Sequence, residues 1–235
     1  MTQAADKLPR FDDNSPDIDF VPPPPDLESN EPPLESDLHR DQINLLLELL
    51  NWYWRDRDDY YATGNLTIYY NERQLTTRDF RGPDFFVVLG TEKRKRKSWM
   101  IWYEDGKYPN FILEILSNST ARVDRTFKKV LYQDTFRTPE YLWFDPFTLE
   151  LQGFRLRGHE YQPIEPNEQG WLWSNELELF LGVHDSQLRF YTTDSELIPS
   201  AEERAEAAEK KARAAEERLR QLQVQLRAQG IKPNV

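Results

Sequence analysis

The sequence predicts an α/β fold, a mixed sheet flanked by helices, followed by a long C-terminal helix. Three observations carry this. Short apolar runs bounded by loop-forming residues alternate with stretches of helical period. Residues 111–145 read as strand, helix, strand ("FILEILS", "ARVDRTFKKVLYQDTF", "EYLWFDP"), the pattern of a crossover between parallel strands. From Ala201 onward the apolar positions recur at alternating spacings of four and three, the mark of a helix with a heptad seam.

Residues 1–35 are acidic and Pro-rich, with consecutive prolines at Pro22–Pro25 and few bulky apolar residues. Such a segment cannot bury enough surface to fold, so a disordered or extended arm is expected. A folded domain is expected over 36–198. It opens with "SDLHRDQINLLLELLNWYW", where Ser36 or Asp37 can cap a helix whose apolar face runs through Ile43, Leu46, Leu47, Leu50 and Tyr53. Strands are then expected at 66–70 (LTIYY), 85–89 (FFVVL), 99–103 (WMIWY) and 111–117. Within the helix that follows, Val123, Phe127, Val130, Leu131 and Phe136 form the predicted packing face. "EYLWFDP" reads as a buried strand and "LELQGFRLRGHEYQPI" as a hairpin turning at Gly158. Residues 165–198, with Trp171 and Trp173, are expected to wrap the core.

Over 199–235 the seam runs Ala201, Ala205, Ala208, Ala212, Ala215, Leu219, Leu222, Leu226. With Ala205 at position a, Arg204, Lys211 and Arg218 fall at g, and Glu209, Glu216 and Gln223 at the following e. A parallel coiled-coil homodimer would pair Arg204 with Glu209 and Lys211 with Glu216. A lone solvated helix held by local ion pairs is the alternative. Gly230 and Pro233 end the helix in either case.

Composition closes several routes. The 235 residues include no Cys, which excludes disulfides, zinc–thiolate sites and Cys nucleophiles. No apolar run approaches the roughly 18 residues of a membrane span, and no signal-peptide core stands at the N-terminus, so a soluble cytoplasmic protein is expected. The net charge of −11 opposes a nucleic-acid partner. Residues 1–38 account for −8 of it, ten acids against Lys7 and Arg10, which leaves −3 for the rest.

One feature of the strands is chemically costly. Glu114 stands in the middle of the apolar run FILEIL, and Asp84 opens the strand FFVVL in "RGPDFFVV". A buried carboxylate needs a compensating partner. If the two strands are neighbours, their carboxylates can face each other; at about 4 Å they would repel by roughly 4 kcal/mol at an effective dielectric of about 20. Sharing a proton or a divalent cation relieves this. Oxygen donors, the lack of Cys and three scattered His (His39, His159, His184) favour a hard ion, Mg²⁺ or Mn²⁺. Such an ion polarises a phosphate and acidifies a bound water. Lys128, on the following helix, would add positive charge; Lys129 is a rival for that role. Helical spacing places Asp124, Lys128 and Tyr132 on one face, where Asp124 either orients Lys128 or forms a surface ion pair with it. Glu48 on the first helix is either a more distant support of the metal or simply solvated. "KRKRK" at 93–97 either grips phosphates or forms a solvated turn.

"GPDFFVV", "FILEILSNSTARVDRTFKKVLY" and "EYLWFDP", in this order and strand context, resemble the Uma-type restriction endonuclease family of the PD-(D/E)XK nuclease superfamily. The resemblance covers roughly 36–192. It implies a restriction-endonuclease-like α/β core and metal-dependent cleavage of phosphodiester bonds; DNA is the expected substrate, with RNA the alternative. It assigns Asp84 and Glu114 as catalytic metal ligands. The superfamily's usual Lys position, two after the acid, is Leu116 here, and Lys128 matches the helical Lys that replaces it in this family. Asn118 stands where the family usually has Pro. Two copies joined through 201–226 would bring two sites onto a duplex. A catalytically silent nuclease-fold scaffold, acting through its coiled coil, is the alternative.

Overall fold

The computed structural model describes residues 36–71, 80–117 and 124–229. The acidic segment 1–35, Asn118 and the chain end from Gly230 lie outside them. Ser36 caps α1 (Asp37–Tyr53), its hydroxyl accepting the His39 amide hydrogen. The elements that follow are β1 (Tyr60–Thr63), β2 (Ile68–Tyr69), β3 (Phe80–Arg81), β4 (Phe85–Leu89), β5 (Trp99–Met100) and β6 (Phe111–Ile115). A π-helical turn, Asp124–Lys128, then leads into α2 (Lys129–Asp134). β7 (Glu140–Phe144), β8 (Leu151–Arg157), β9 (Glu160–Pro163), β10 (Leu172–Ser174), β11 (Leu179–His184), β12 (Gln187–Tyr191) and α3 (Ala201–Ala228) complete the chain.

The main sheet has the order β1-β4-β6-β7-β8-β9 and is mixed: β6 and β7 run parallel, joined by the crossover through α2, and the other pairs are antiparallel. Its central strands β4, β6 and β7 are largely apolar on both faces because both faces are covered. Phe85, Val87, Phe111, Leu113, Leu142 and Phe144 pack against Leu46, Leu49 and Leu50 of α1 and against the small sheet β10-β11-β12. The alternate residues Phe86, Val88, Ile112, Tyr141 and Trp143 pack against Tyr132 and Phe136 on the crossover side. The period-2 pleat thus sorts one run of sequence into two cores.

Several local expectations change. β1 and β3 add to the expected strands, and WMIWY is a strand only at Trp99–Met100. Its partner β2 is two residues long, and beyond it the Glu104 and Gly106 amides turn back onto the Ile101 carbonyl, closing a helical turn. On α1, Tyr53 is exposed while His39 and Leu49 join the buried stripe. Phe127 and Val130, expected on a packing face, are 53% and 55% exposed. The wider π-helical turn rotates them off the sheet, and the inward face becomes Lys128, Tyr132 and Phe136, at four-residue steps. The Trp171 and Trp173 rings pack within the β10–β12 sheet, Trp171 stacking on Tyr191 at 3.8 Å and Trp173 edge-on to Phe180. Among the described residues no helix is long and apolar enough to cross a membrane.

Candidate active site

The register of β4 on β6 sets Phe85 opposite Leu113 and Phe86 opposite Ile112, so Asp84, one residue before β4, lies opposite Glu114. The two are therefore cross-strand neighbours at one end of the sheet. Glu114 follows the parity of Ile112 and Leu116 and points to the crossover side, with no solvent exposure. Three groups compensate its charge. The Lys128 ammonium lies 3.0 Å from Oε2, the Asp84 amide donates to Oε2 at 3.3 Å, and the Tyr132 hydroxyl donates to Oε1 at 2.7 Å. The four-residue step from Lys128 to Tyr132 is thereby explained: both side chains reach one carboxylate.

Asp84 is held as firmly. Its Oδ2 accepts the Ile115 amide hydrogen at 2.7 Å, a bond that crosses to the strand carrying Glu114. Its Oδ1 lies 3.0 Å from Nε2 of His39, which is buried at the start of α1. In the sequence His39 is one of three scattered histidines with no shared spacing. The signal lay in its position, four residues before Ile43 and seven before Leu46, on the stripe that α1 turns inward.

Lys129, the rival cation, goes elsewhere. Its ammonium sits 3.4 Å from the centre of the Phe154 ring, and partial burial lowers its pKa from the ordinary lysine value. The Asp124 side chain lies outside the described residues. Glu48 does not reach the site: its carboxylate accepts from Arg204 at 2.7 Å and from the Ala201 amide at 3.2 Å, tying α1 to α3. In the 93–97 run, Arg94 and Arg96 are engaged within the domain. Arg96 is buried against Glu104 with bonds of 2.6 and 2.9 Å and stacks over Tyr61 and Trp99, and Arg94 pairs with Glu92 and Glu104. The run also follows β4, beyond Leu89, whereas Asp84 precedes it.

Among the described residues no group of three or more His, Cys, Asp or Glu side chains is placed to hold a metal ion. A small hard cation does not require one: Mg²⁺ keeps several waters and is bound through one or two carboxylates together with substrate phosphates. Asp84 and Glu114 are hard oxygen donors set side by side by the sheet, and the Asp84 side chain keeps 14% exposure, an open edge toward solvent. This donor set fits such an ion.

A family model described as "Uma2: Putative restriction endonuclease" matches residues 13–187. The chain belongs to this family. The Uma2 match contains Asp84, Glu114 and Lys128 and ends before α3. Among solved structures the chain is similar to a "putative nuclease belonging to DUF820" from Anabaena variabilis, at 14% identity, over 66% of this chain and 83% of that one, with a TM-score of 0.48. No curated protein matches it.

Proposed function

We propose that this protein is a metal-dependent endonuclease that hydrolyses phosphodiester bonds in DNA, with Asp84 and Glu114 holding Mg²⁺ or Mn²⁺ and Lys128 assisting the attack. Membership of the Uma2 family supports a nuclease acting on nucleic acid. The observation that carries the residue assignment is the Lys128 ammonium, 3.0 Å from a buried carboxylate that is the cross-strand neighbour of a second one.

When bound, the divalent ion supplies Lewis-acid polarisation of the scissile phosphate and acidifies a water. The residues of the chain do the rest. Lys128 holds a fixed positive charge beside Glu114, where it offsets negative charge on the attacking oxygen and on the phosphate as the transition state forms. Tyr132 fixes the Glu114 carboxylate and His39 and the Ile115 amide fix that of Asp84, so neither has to reorganise during attack. Two copies paired through α3 would offer one such site to each strand of a duplex.

One observation favours a second reading, a silent nuclease-fold scaffold: each of the four carboxylate oxygens already has a protein partner. Incubation of supercoiled plasmid with excess Mg²⁺ or Mn²⁺ separates the two. The endonuclease nicks the plasmid, and Asp84→Asn and Glu114→Gln proteins of unchanged fold do not. Absence of nicking by the wild type with either ion supports the scaffold.

A further inference from the structure

The long helix α3 stands on the domain as a rooted arm. Its N-terminus is closed by a capping box in which the Ser200 hydroxyl accepts from the Glu203 amide and the Glu203 carboxylate accepts from the Ser200 amide. Arg189 of β12, itself buried, donates to both Glu203 oxygens, at 3.2 and 2.6 Å. Arg204 donates to Glu48 and lies over the Trp52 ring at 4.0 Å. These contacts join the first turn of α3 to α1 and to β12. Beyond them the helix has no buried residue, although Leu219 and Leu222 are 57% and 48% exposed. A helix of 28 residues is about 42 Å long.

The root changes what the heptad seam can do. Arg204, one of two residues expected to reach across a dimer, is engaged by its own domain, and its expected partner Glu209 is engaged by Arg213 four residues on. The seam left for a partner is Ala208, Ala212, Ala215, Leu219, Leu222 and Leu226. Its flanks are sorted by sign. Lys211 and Arg218 line the g edge; Glu209 and Glu216 line the e edge. In a parallel pair each g edge meets an e edge, so Lys211 faces Glu216 of the other copy. In an antiparallel pair g meets g and e meets e, placing like charges together.

We infer that the exposed face of α3 from Ala208 to Leu226 docks a second copy of this chain as a parallel, in-register coiled coil, with the turn before it reserved for the root. This deepens the dimeric part of the proposed function and does not depend on the catalytic assignment. The consequence is geometric: two domains stand at the same end of the coil, related by a twofold axis along it, each fixed to its arm through α1, the helix that also carries His39.

The chain has no Cys, so single cysteines report orientation directly. Cα atoms must approach within about 7 Å to form a disulfide. In a parallel pair Leu222 meets its own copy. In an antiparallel pair of the same seam it meets Ala212 instead. Full-length Leu222→Cys protein, oxidised mildly, is expected to form a covalent dimer nearly completely. The mixture of Ala212→Cys and Leu222→Cys proteins is expected to give no crosslink between the two types. The Arg204→Ala change is expected to leave the Leu222→Cys crosslink in place, and Leu219→Asp to abolish it. A monomeric wild-type mass by light scattering at tens of micromolar, about ten times a micromolar dissociation constant, overturns the docking of a second copy. A crosslink only in the mixture overturns the parallel orientation. Loss of the crosslink in Arg204→Ala overturns the division between root and seam. None of these readouts uses nuclease activity, so a catalytically silent protein leaves the test intact.

Discussion

The Lys128 ammonium lies 3.0 Å from Oε2 of Glu114, and the carboxylate is fully buried while the Lys128 side chain keeps 17% exposure. The asymmetry makes the pair unequal under mutation. Without Lys128 the buried carboxyl keeps the Tyr132 hydroxyl and the Asp84 amide but loses the ammonium; without the carboxylate the ammonium can still reach water. Lys128→Met is therefore expected to destabilise the fold by about 3 kcal/mol, the lower end of what breaking a buried pair costs. Glu114→Gln, which keeps the shape, is expected to cost less. The double variant should recover part of the Lys128→Met loss, giving a coupling on the order of 1–3 kcal/mol in a urea-denaturation cycle. Additive losses would show that the two groups do not compensate each other.

The two adjacent lysines separate a role at the carboxylates from general surface charge. Lys128 meets Glu114, whereas Lys129 lies over Phe154. If Lys128 assists the attack, Lys128→Met lowers plasmid nicking on the order of a hundredfold, as the loss of one transition-state donor does. Lys129→Met is expected to stay within about twofold of wild type, since no reacting group is near its nitrogen. Equal losses in both proteins would assign the effect to net charge or folding.

Much of this arrangement was legible in the chain, for identifiable reasons. A Glu inside an apolar strand is conspicuous because burial makes it costly, and helical spacing already linked Lys128 to Tyr132. The strand–helix–strand passage gave the parallel β6–β7 pair. What stayed hidden depended on distant pairing. β1 and β3 are short and exist through their partners β4 and β2. Phe127 and Val130 leave the expected packing face because that face requires an α-helical step, which the π-helical turn breaks. Arg96 lost its apparent freedom to Glu104, and Glu48 its apparent freedom to Arg204, through contacts that no local pattern encodes.

His39 tests whether the support of Asp84 matters to a bound ion. Partners that orient a metal-ligating side chain typically contribute 10–100-fold to metal affinity. If Asp84 holds an ion as proposed, His39→Ala is expected to weaken Mn²⁺ binding by about that factor, read as free Mn²⁺ by electron paramagnetic resonance. His39→Gln, which keeps a polar side chain facing Asp84, is expected to recover part of the loss. An unchanged affinity in a folded His39→Ala protein would reduce His39 to a packing role.

The root of α3 gives a pH dependence. The Arg189 guanidinium holds the Glu203 carboxyl down to about 2, against an ordinary value of 4.5. A carboxylate whose pKa is lower when folded contributes its stability above the unfolded value and loses it as pH falls through the folded one. The clamp is thus complete above about pH 4.5 and is lost between there and pH 2. Hydrogen exchange at the Ser200 and Glu203 amides is expected to rise over that window, and Arg189→Met should remove the transition. A root that opens only above pH 5 would contradict the pairing.

Gly64 places the sharpest steric demand on the site. It stands in the turn after β1, where the Asn65 amide donates to the carbonyls of Pro83 and Asp84. A Cβ on residue 64 would overlap the buried Ile43 side chain and lie 2.6 Å from the Asp84 carbonyl oxygen. Neither neighbour is a free chain end, so the backbone carrying Asp84 has to move. Gly64→Ala is expected to cost about 1–3 kcal/mol as overpacking and to weaken Mn²⁺ binding as well. Gly106→Ala provides the comparison: open space surrounds that position, but its φ of +72° strains any side chain. It is expected to lose about 1 kcal/mol through the backbone alone and to bind Mn²⁺ like the wild type. Equal Mn²⁺ affinities in the two variants would show that the position of Asp84 does not govern the ion.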